Sequence, residues 1–462
     1  MFLNALDTTI VNVTLPTLAR EFDVGTSSID WVVTGYLLSL AVWIPASGWI
    51  GDRVGTKRTF LFALAVFTLS SALCGIAQSL WQLIAFRILQ GVGGGMLTPV
   101  GFAMLFRAFP PERRAFVSKV LIVPTAMAPA SGPVLGGLLV DWLSWRWVFY
   151  VNLPIGIAVF IFSWVFLREH KEPRAGGFDL PGFVLSGAGL ALLLFTLGEG
   201  PVRGWDDPLV LGTGVAAVAS FAALVFVELR IEEPMLQLRL LKDRMFRSAM
   251  ITTLFSTSAF LGILFVMPLF LQTVRGVSAL QSGLTTFPEA VGVLASSQIV
   301  GKLYPTVGPR RLMVGGLSGL AICMVLLTGV GAETNLWLIR LLMFVAGGSM
   351  AYVFLPLQAS ALARISPAQT GRASSIYNAQ RQMSGALGVA ILATVLAVNL
   401  PDGGLADSTV QQQVSAFHRV FLVAAGIAII GALMASRIKD SDAAATMRAR
   451  RSDAPPAPIA VE

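Results

Sequence analysis

The chain has 462 residues, of which 55% are hydrophobic and only 13% are charged. Soluble domains carry about 25% charged residues, so this composition excludes an ordinary soluble protein. A net charge of +8 could suggest a nucleic-acid partner. The basic residues cluster instead in short loops at alternate ends of apolar runs, so no nucleic acid is expected. Two cysteines and two histidines are too few for a disulfide framework or a histidine-rich metal site, and no cofactor is predicted.

The apolar residues form successive runs of about 18–25 residues, the length of a helix that crosses a bilayer. They predict an all-α polytopic membrane protein with about fourteen spans, arranged as two six-helix bundles and two extra central helices. We expect an N-terminal bundle over residues 1–167, a linker with the two extra helices over 168–247, a C-terminal bundle over 248–436 and a disordered cytoplasmic tail over 437–462.

The positions of lysine and arginine predict the orientation. With the N-terminus inside, about 25 of the 33 basic residues fall in cytoplasmic loops and the tail, as the positive-inside rule requires. An odd number of spans would spoil this alternation, so both termini are expected on the cytoplasmic side.

A loop motif occurs twice. Gly48–Arg58 returns as Gly301–Arg311, each matched pair lying 253 positions apart, and Arg87 in the next apolar run is matched by Arg340 at the same offset. One offset held over two motifs indicates an internal duplication, which is common in transporters that expose one central site to each side in turn.

Four motifs in the N-terminal half carry a family resemblance. They are Leu6–Pro16 in the first span, Gly48–Arg58 in the loop after the second, Leu83–Gly91 in the fourth and Ala130–Gly137 in the fifth. Together they resemble the major facilitator superfamily, specifically its 14-helix drug:proton antiporter group. The resemblance implies the major facilitator fold and proton-driven efflux by alternating access.

The loop motif has a mechanical interpretation. Its glycines permit tight turns, and Asp52 can face a helix N-terminus or an arginine of the neighbouring bundle. Such a contact would latch the cytoplasmic side, and the second copy lacks it because Pro305 replaces the aspartate. The alternative is a loop that only anchors topology by positive charge. The residues predicted to form the latch are Gly48, Asp52, Arg53, Gly55, Lys57 and Arg58.

The fifth-span motif contains Gly132, Pro133, Gly136 and Gly137. Proline interrupts the backbone hydrogen-bond ladder and glycine allows close helix contact. The resemblance implies a kink that seals the path and favours exchange over cotransport; the alternative is simple helix packing. The glycine run at 91–95 lies inside an apolar span, so it predicts close packing and not a phosphate-binding loop.

Few acids lie inside the spans, and Asp7 and Glu289 are the main ones. Asp7 occupies the family's motif position, so it is predicted to carry the proton, and the resemblance ties Arg87 to proton coupling. Structural alternatives remain open: Asp7 could bond only to Thr8, Thr9 or Asn12, and Arg87 could snorkel to the surface.

Glu289 departs from the family pattern. It could bind a proton, supply the counter-charge for a cationic substrate, or pair with Arg381. Glu228 lies near the end of its span and is expected to be solvated.

A substrate cavity is expected between the two halves. The residues predicted to line it are Asn12, Thr34, Gln90, Phe260, Phe265 and Arg381. The abundant aromatic residues suit lipophilic cations, although such residues mostly face lipid or core in any membrane protein.

The sequence thus predicts a bacterial cytoplasmic-membrane exporter that exchanges protons for lipophilic compounds, cations among them, and is not an enzyme. Its predicted partners are protons, a small-molecule substrate and the lipid bilayer; a periplasmic adaptor cannot be predicted. The alternatives are export of an endogenous lipid, peptide or siderophore, an uptake symporter, and a receptor that transports nothing.

Overall fold

A computed structural model describes residues 2–24, 26–110, 113–172, 176–231, 234–401, 405 and 407–447. Over these residues the structure is helical, with seventeen α-helices and no strand. The N-terminal half contains α1 (Phe2–Glu21), α2 (Thr26–Ile29), α3 (Trp31–Val54), α4 (Thr56–Gly75), α5 (Leu80–Ala108), α6 (Arg114–Trp142), α7 (Trp147–Tyr150) and α8 (Asn152–Phe166).

The central pair is α9 (Leu180–Arg203) and α10 (Pro208–Arg230). The C-terminal half contains α11 (Arg244–Thr273), α12 (Ala279–Thr286), α13 (Pro288–Val307), α14 (Pro309–Leu327), α15 (Leu336–Ser360), α16 (Thr370–Val398) and α17 (Val410–Ser436). Three short 3-10 helices cover Leu238–Lys242, Pro367–Gln369 and Asp440–Thr446.

Eleven helical segments of the described chain are long and apolar enough to cross a membrane. The other predicted spans coincide with α1, α6 and the α12–α13 pair, which do not belong to that set of eleven. The polytopic helical architecture is therefore confirmed, and the count of fourteen remains a prediction.

The duplication is visible in the backbone. Gly55, between α3 and α4, and Gly308, between α13 and α14, both have positive φ, +118° and +86°. A Cβ atom is strained in this region of φ, so each copy of the turn requires glycine.

An acidic side chain caps the helix that follows each turn. Glu169 accepts hydrogen bonds from the backbone N–H groups of Lys57 (3.0 Å) and Arg58 (3.2 Å). In the second copy Asp440 accepts one from Arg310 N–H (2.9 Å). Both acids follow the last membrane helix of their own half, so in each half the segment after that helix binds back to the repeated turn.

The glycine run of α5 packs against α3 and α4. A Cβ at Gly91, Gly93 or Gly95 would lie 2.5–2.6 Å from a backbone oxygen of α3 or α4. Only glycine permits so close a contact, which confirms the packing interpretation of this run.

The two halves meet along two seams, α3 and α5 against α16 on one side and α6 against α13 and α15 on the other. The central pair contacts both halves, because α9 packs against both α3 and α16. Trp43 and Phe183 join α3 to α9 with ring centroids 5.4 Å apart, and Trp205 donates from Nε1 to Thr394 Oγ1 of α16 at 2.9 Å. α10 packs on the outer side of α9.

The prediction of disorder from residue 437 onward is wrong for its first part. Asp442 forms ion pairs with Arg244 (2.6 Å) and Arg364 (3.1 Å), and Thr446 hydrogen-bonds to Tyr304 (2.6 Å). These polar partners hold Asp440–Thr446 against the C-terminal half, and composition could not reveal them. Residues 448–462 lie outside the described residues.

Candidate functional site

A buried ion pair lies inside the N-terminal half. Oδ2 of Asp7, on α1, accepts a hydrogen bond from Nη1 of Arg87, on α5, at 2.6 Å, and both side chains have 0% exposure. Breaking such a pair leaves an uncompensated buried charge, which costs about 3–5 kcal/mol. The two residues therefore act as one unit.

Two amides complete the shell of Asp7. Gln90 donates from Nε2 to Asp7 Oδ1 at 3.0 Å, and Asn152 donates from Nδ2 to the same oxygen at 2.9 Å. Gln90 lies one turn after Arg87 on α5, so both side chains reach the same face. Asn152 is the first residue of α8. The carboxylate thus receives donors from two neighbouring helices.

The guanidinium of Arg87 is held by further contacts. Its Nε donates to the carbonyl of Val32 at 3.1 Å, its Nη1 also donates to Gln90 Oε1 at 2.6 Å, and its Cζ lies 4.1 Å from the ring centroid of Tyr36. Nη2 has no hydrogen-bond partner among the described residues. The snorkelling alternative is wrong, because this arginine points into the bundle.

The local alternative for Asp7 is also wrong. Thr8 donates to the carbonyl of Asn4 and Thr9 to that of Ala5, and Asn12 is exposed. The carboxylate is instead held by residues 80 to 145 positions away along the chain.

Asn152 and Ser71 were not predicted. Asn152 also donates to Ser71 Oγ (3.1 Å), and Ser71 donates to the carbonyl of Phe149 (2.8 Å). An asparagine inside an apolar run was the available signal. Its partner became visible only when α8 was placed beside α1 and α4.

Glu289 lies in the first turn of α13, 5% exposed. Its Oε2 has no hydrogen-bond partner, and no ion pair joins it to Arg381, within the described part of the chain. Its backbone is in tight contact with α15, since a Cβ at Gly347 would overlap the Glu289 carbonyl. The alternative of a pairing with Arg381 is therefore not observed, and no basic side chain of the described residues pairs with this buried carboxyl group.

The Asp52 end of α3 contacts the opposite half. A Cβ at Gly371, the second residue of α16, would lie 2.5 Å from Asp52 Oδ1, so this carboxylate faces the N-terminus of α16. The partial positive charge of a helix N-terminus favours an anion there. Gly48 packs against the Gly371 carbonyl, and the hydroxyls of Ser47 and Ser375 lie 2.9 Å apart.

The arginine that binds Asp52 is Arg107, with Nη2 and Oδ1 2.7 Å apart. It comes from α5 of the same half, not from the neighbouring bundle. Its Nε also donates to the carbonyl of Pro367, in the opposite half, at 3.1 Å. Arg107 was missed in the sequence because it lies outside the loop motif.

The rest of the loop motif stays within the N-terminal half. Arg53 is exposed, Lys57 donates from Nζ to the Trp164 carbonyl (2.6 Å), and Arg58 approaches Glu169 at 3.7 Å. Of the six residues predicted for the latch, Gly48 and Asp52 are the two that contact the other half through the side-chain and glycine contacts of the described residues.

The fifth-span motif lies within α6. A Cβ at Gly132 would overlap the side chain of Thr9 on α1, so this glycine sets the approach of α1 to α6. Gly136 is buried, whereas a Cβ at Gly137 would meet no described atom within 4 Å. Close contact is thus found for one glycine of the motif and not for Gly137. The side chain of Pro133 lies outside the described residues.

The structure does not bring the predicted cavity residues together. Gln90 belongs to the Asp7 network, Phe260 packs on Phe354 with centroids 5.3 Å apart, and Asn12 is exposed. Phe265 lines an apolar groove of about 730 Å³ between the ends of α9, α11 and α16. Thr34 and Arg381 are partly exposed, on α3 and α16.

Comparisons with known proteins agree with this architecture. The family model described as "Major Facilitator Superfamily" matches residues 1–389 and 290–461. The chain is 33% identical to "Multidrug resistance protein B homolog" of Mycobacterium tuberculosis over 397 residues, 85% of this chain and 73% of the relative. It is 32% identical to "Putative multidrug resistance protein MdtD" of Cronobacter sakazakii over 451 residues, 97% and 95% of the two chains.

Solved structures share the fold at low identity. The human organic anion transporter MFSD10 superposes with a TM-score of 0.66 at 17% identity, over 94% of this chain and 97% of that one. The proton:xylose symporter XylE gives a TM-score of 0.59 at 16% identity, over 94% and 92%.

Proposed function

Since the chain belongs to the major facilitator superfamily, we propose that it is a proton-coupled efflux transporter, exchanging protons for lipophilic compounds, cations among them, by alternating access. Its relatives named as multidrug resistance proteins support the export of drugs. The coupling to protons and the class of cargo are our inference from the site.

The buried Asp7–Arg87 pair is the observation that carries the proposal. A carboxylate sealed inside the bundle and held by Arg87, Gln90 and Asn152 is fully satisfied while ionised. Protonation would remove the charge that Arg87 binds and leave a buried cation unpaired. The two protonation states thus favour different arrangements of α1, α5 and α8, which is what coupling requires.

The contact between Asp52 and α16 supplies the second part. It joins the two halves at one end of the molecule, where a rocking motion must break it for the site to open there. We place this end in the cytoplasm because the neighbouring loops are rich in lysine and arginine. We therefore expect the protein to lie in the cell membrane with both termini on the cytoplasmic side. In this arrangement α1, α6 and the α12–α13 pair add three spans to the eleven apolar ones.

Glu289 is the second candidate for charge recognition. Its buried and unpaired carboxyl group could take a proton or pair with a cationic cargo. Export of an endogenous lipid, peptide or siderophore remains the alternative function, since the described residues do not identify the chemical class of the cargo. Protons, the cargo and the bilayer are the proposed partners, without a cofactor or nucleic acid.

The decisive test is proton-driven accumulation of a lipophilic cationic dye in liposomes that contain the purified protein. One proton supplies about 1.4 kcal/mol per pH unit, so one unit of gradient supports about tenfold accumulation per proton exchanged. We expect the wild type to accumulate dye while releasing protons, and Asp7→Asn to equilibrate dye without accumulation.

Asp23→Asn is the matched control, because Asp23 is an exposed acid just after α1. Glu289→Gln separates the roles of the second acid: loss for cationic dyes alone assigns it to the cargo's charge, and loss for all dyes assigns it to the proton. Accumulation by Asp7→Asn equal to that of the wild type would refute the proton role of Asp7.

A further inference from the structure

Two acidic side chains are buried where the central helices α9 and α10 meet the loop that follows them. Asp179 caps α9, with Oδ1 accepting from Gly182 N–H at 2.8 Å, and its Oδ2 accepts from Met235 N–H at 3.2 Å. Glu228, near the end of α10, accepts from Leu236 N–H at 3.0 Å. Their exposures are 5% and 1%, so the expectation that Glu228 is solvated is wrong.

The two carboxyl groups converge on one point. A Cβ at Gly182 would overlap Oδ2 of Asp179 and lie 2.8 Å from Oε1 of Glu228, so these two carboxyl oxygens lie on the same side of the glycine. Glu228 Oε2 has no hydrogen-bond partner among the described residues. Two buried carboxylates so close together repel each other when both are ionised, and one proton on either of them removes that repulsion.

Arg372 connects this pair to the latch. It is a buried residue in the first turn of α16, directly after Gly371, which packs against Oδ1 of Asp52, and α16 also packs against α9. Together with Arg107 and with Glu172, whose backbone N–H donates to the Asp52 carbonyl at 2.9 Å, the described part of the cluster holds four acids and two arginines, so negative charge is in excess unless the pair binds a proton. Arg230, two residues after Glu228 on α10, and Arg239 and Lys242 of the 3-10 segment that follows are exposed.

We propose that Asp179 and Glu228 form a second proton-binding site, outside the Asp7 network, that holds its proton while the Asp52 end is closed and so makes the two central helices part of the gate. The proposal rests on the alternating-access function above. Loss of the proton leaves the excess negative charge buried beside Arg372 in the closed arrangement. Opening relieves it by admitting water to the two carboxyl groups, because hydration favours their ionised form.

The sign of the pH effect follows. The closed state binds the proton more tightly than the open state, so closure is favoured at low pH and lost as the pH rises. A single proton can shift the ratio of closed to open molecules by no more than about tenfold per pH unit.

The test measures the distance across the latch. Spin labels at Val54→Cys and Ala368→Cys, two exposed positions at the end of α3 and next to the start of α16, report closure in the full chain in lipid nanodiscs at pH 6, 7 and 8. The native Cys74 and Cys323 are buried and stay unlabelled.

We expect the closed fraction to fall with pH in the otherwise unaltered protein. Glu228→Gln, which keeps the shape and mimics the protonated acid, should remain closed at every pH. Asp179→Asn should lose the pH response too, and supplies the test if Glu228→Gln does not fold. Glu199→Gln changes a partly exposed glutamate, paired with Arg203 at the far end of α9, and should keep the full response.

The proposal would be overturned if the closed fraction of both Glu228→Gln and Asp179→Asn changed with pH as it does in the wild type. It would also be overturned if the latch distance of the unaltered protein did not change with pH. Dye accumulation is measured in the same preparations. Absence of accumulation by the unaltered protein counts against the proposed function. Normal accumulation, together with a latch distance that still changes with pH in both variants, counts against this second site alone.

Discussion

At the residue scale, the proposed function depends on how a charge is kept inside an apolar bundle. Asp7 and Arg87 each offset the cost of desolvating the other's charge. The amides of Gln90 and Asn152 donate to the carboxylate oxygen of Asp7 that Arg87 does not bind. Which residues bind Asp7 depends on where the helices place them as well as on the chemistry of their side chains. Asn152 enters the shell only because α8 begins beside α1 and α4.

Asn152→Ala removes one donor to Asp7 and should lower the free energy of unfolding by about 1–3 kcal/mol, the range for a buried group left unsatisfied. Thermal unfolding of the purified protein in detergent measures this effect. Asn12→Ala, an exposed asparagine on α1, is the control and should change little. Equal melting temperatures for Asn152→Ala and the wild type would remove Asn152 from the shell.

Asp52→Asn and Arg53→Gln change neighbouring charges with different contacts. Asp52 binds Arg107 and faces α16, whereas Arg53 is exposed. Hydrogen bonds to charged groups are worth about 1.5–3 kcal/mol, so Asp52→Asn should shift the closed-to-open ratio at this end toward open by tenfold or more. The latch distance measures the shift, and an equal shift in Arg53→Gln would show that only overall charge matters.

At the element scale, helices approach closely wherever a glycine removes the side chain. The α5 run brings three helices of the first half together, and Gly132 brings α1, which carries Asp7, against α6. The position of the buried carboxylate therefore depends on this contact. The fifth-span motif acts here through packing, and its role in sealing the path remains a prediction.

Gly132→Ala and Gly137→Ala form a matched pair on α6. The first places a methyl group in the side chain of Thr9 and should destabilise the protein by about 1–3 kcal/mol and slow dye transport. The second places it where no described atom lies within 4 Å and should be neutral or slightly stabilising. Thermal unfolding and initial transport rates separate them, and equal effects of the two variants would contradict the contact.

At the scale of the whole molecule, two duplicated halves meet along α3–α16 and α6–α13, with α9 packed across the first seam. Each repeated turn is followed by a helix whose N-terminus is capped by an acid, Glu169 in one half and Asp440 in the other. These hydrogen bonds hold the segment after the last helix against its own half. Each half can thus move as a unit, and the Asp52 contact lies where such a motion must separate them.

A disulfide across this seam should stop transport. Ser47 and Ser375 have hydroxyl oxygens 2.9 Å apart, so oxidised Ser47→Cys/Ser375→Cys is expected to hold this end closed and abolish dye accumulation, with recovery after reduction. Each single cysteine variant is the control, since Cys74 and Cys323 are buried. Unchanged transport by fully cross-linked protein would show that this seam does not open during the cycle.

The sequence by itself determined the helical membrane architecture, the duplication, the family and the acids from which the candidate site is built. Apolar run length, a fixed repeat offset and motif residues such as Asp7, Asp52 and Arg87 are local properties of the chain. Only the tertiary structure decided the partners. Asn152, Arg107 and Arg372 act through contacts between helices far apart in sequence, and such contacts leave no local pattern. The burial of Glu228 and the ordering of Asp440–Thr446 were missed for the same reason, because burial of a polar group is decided by what packs against it.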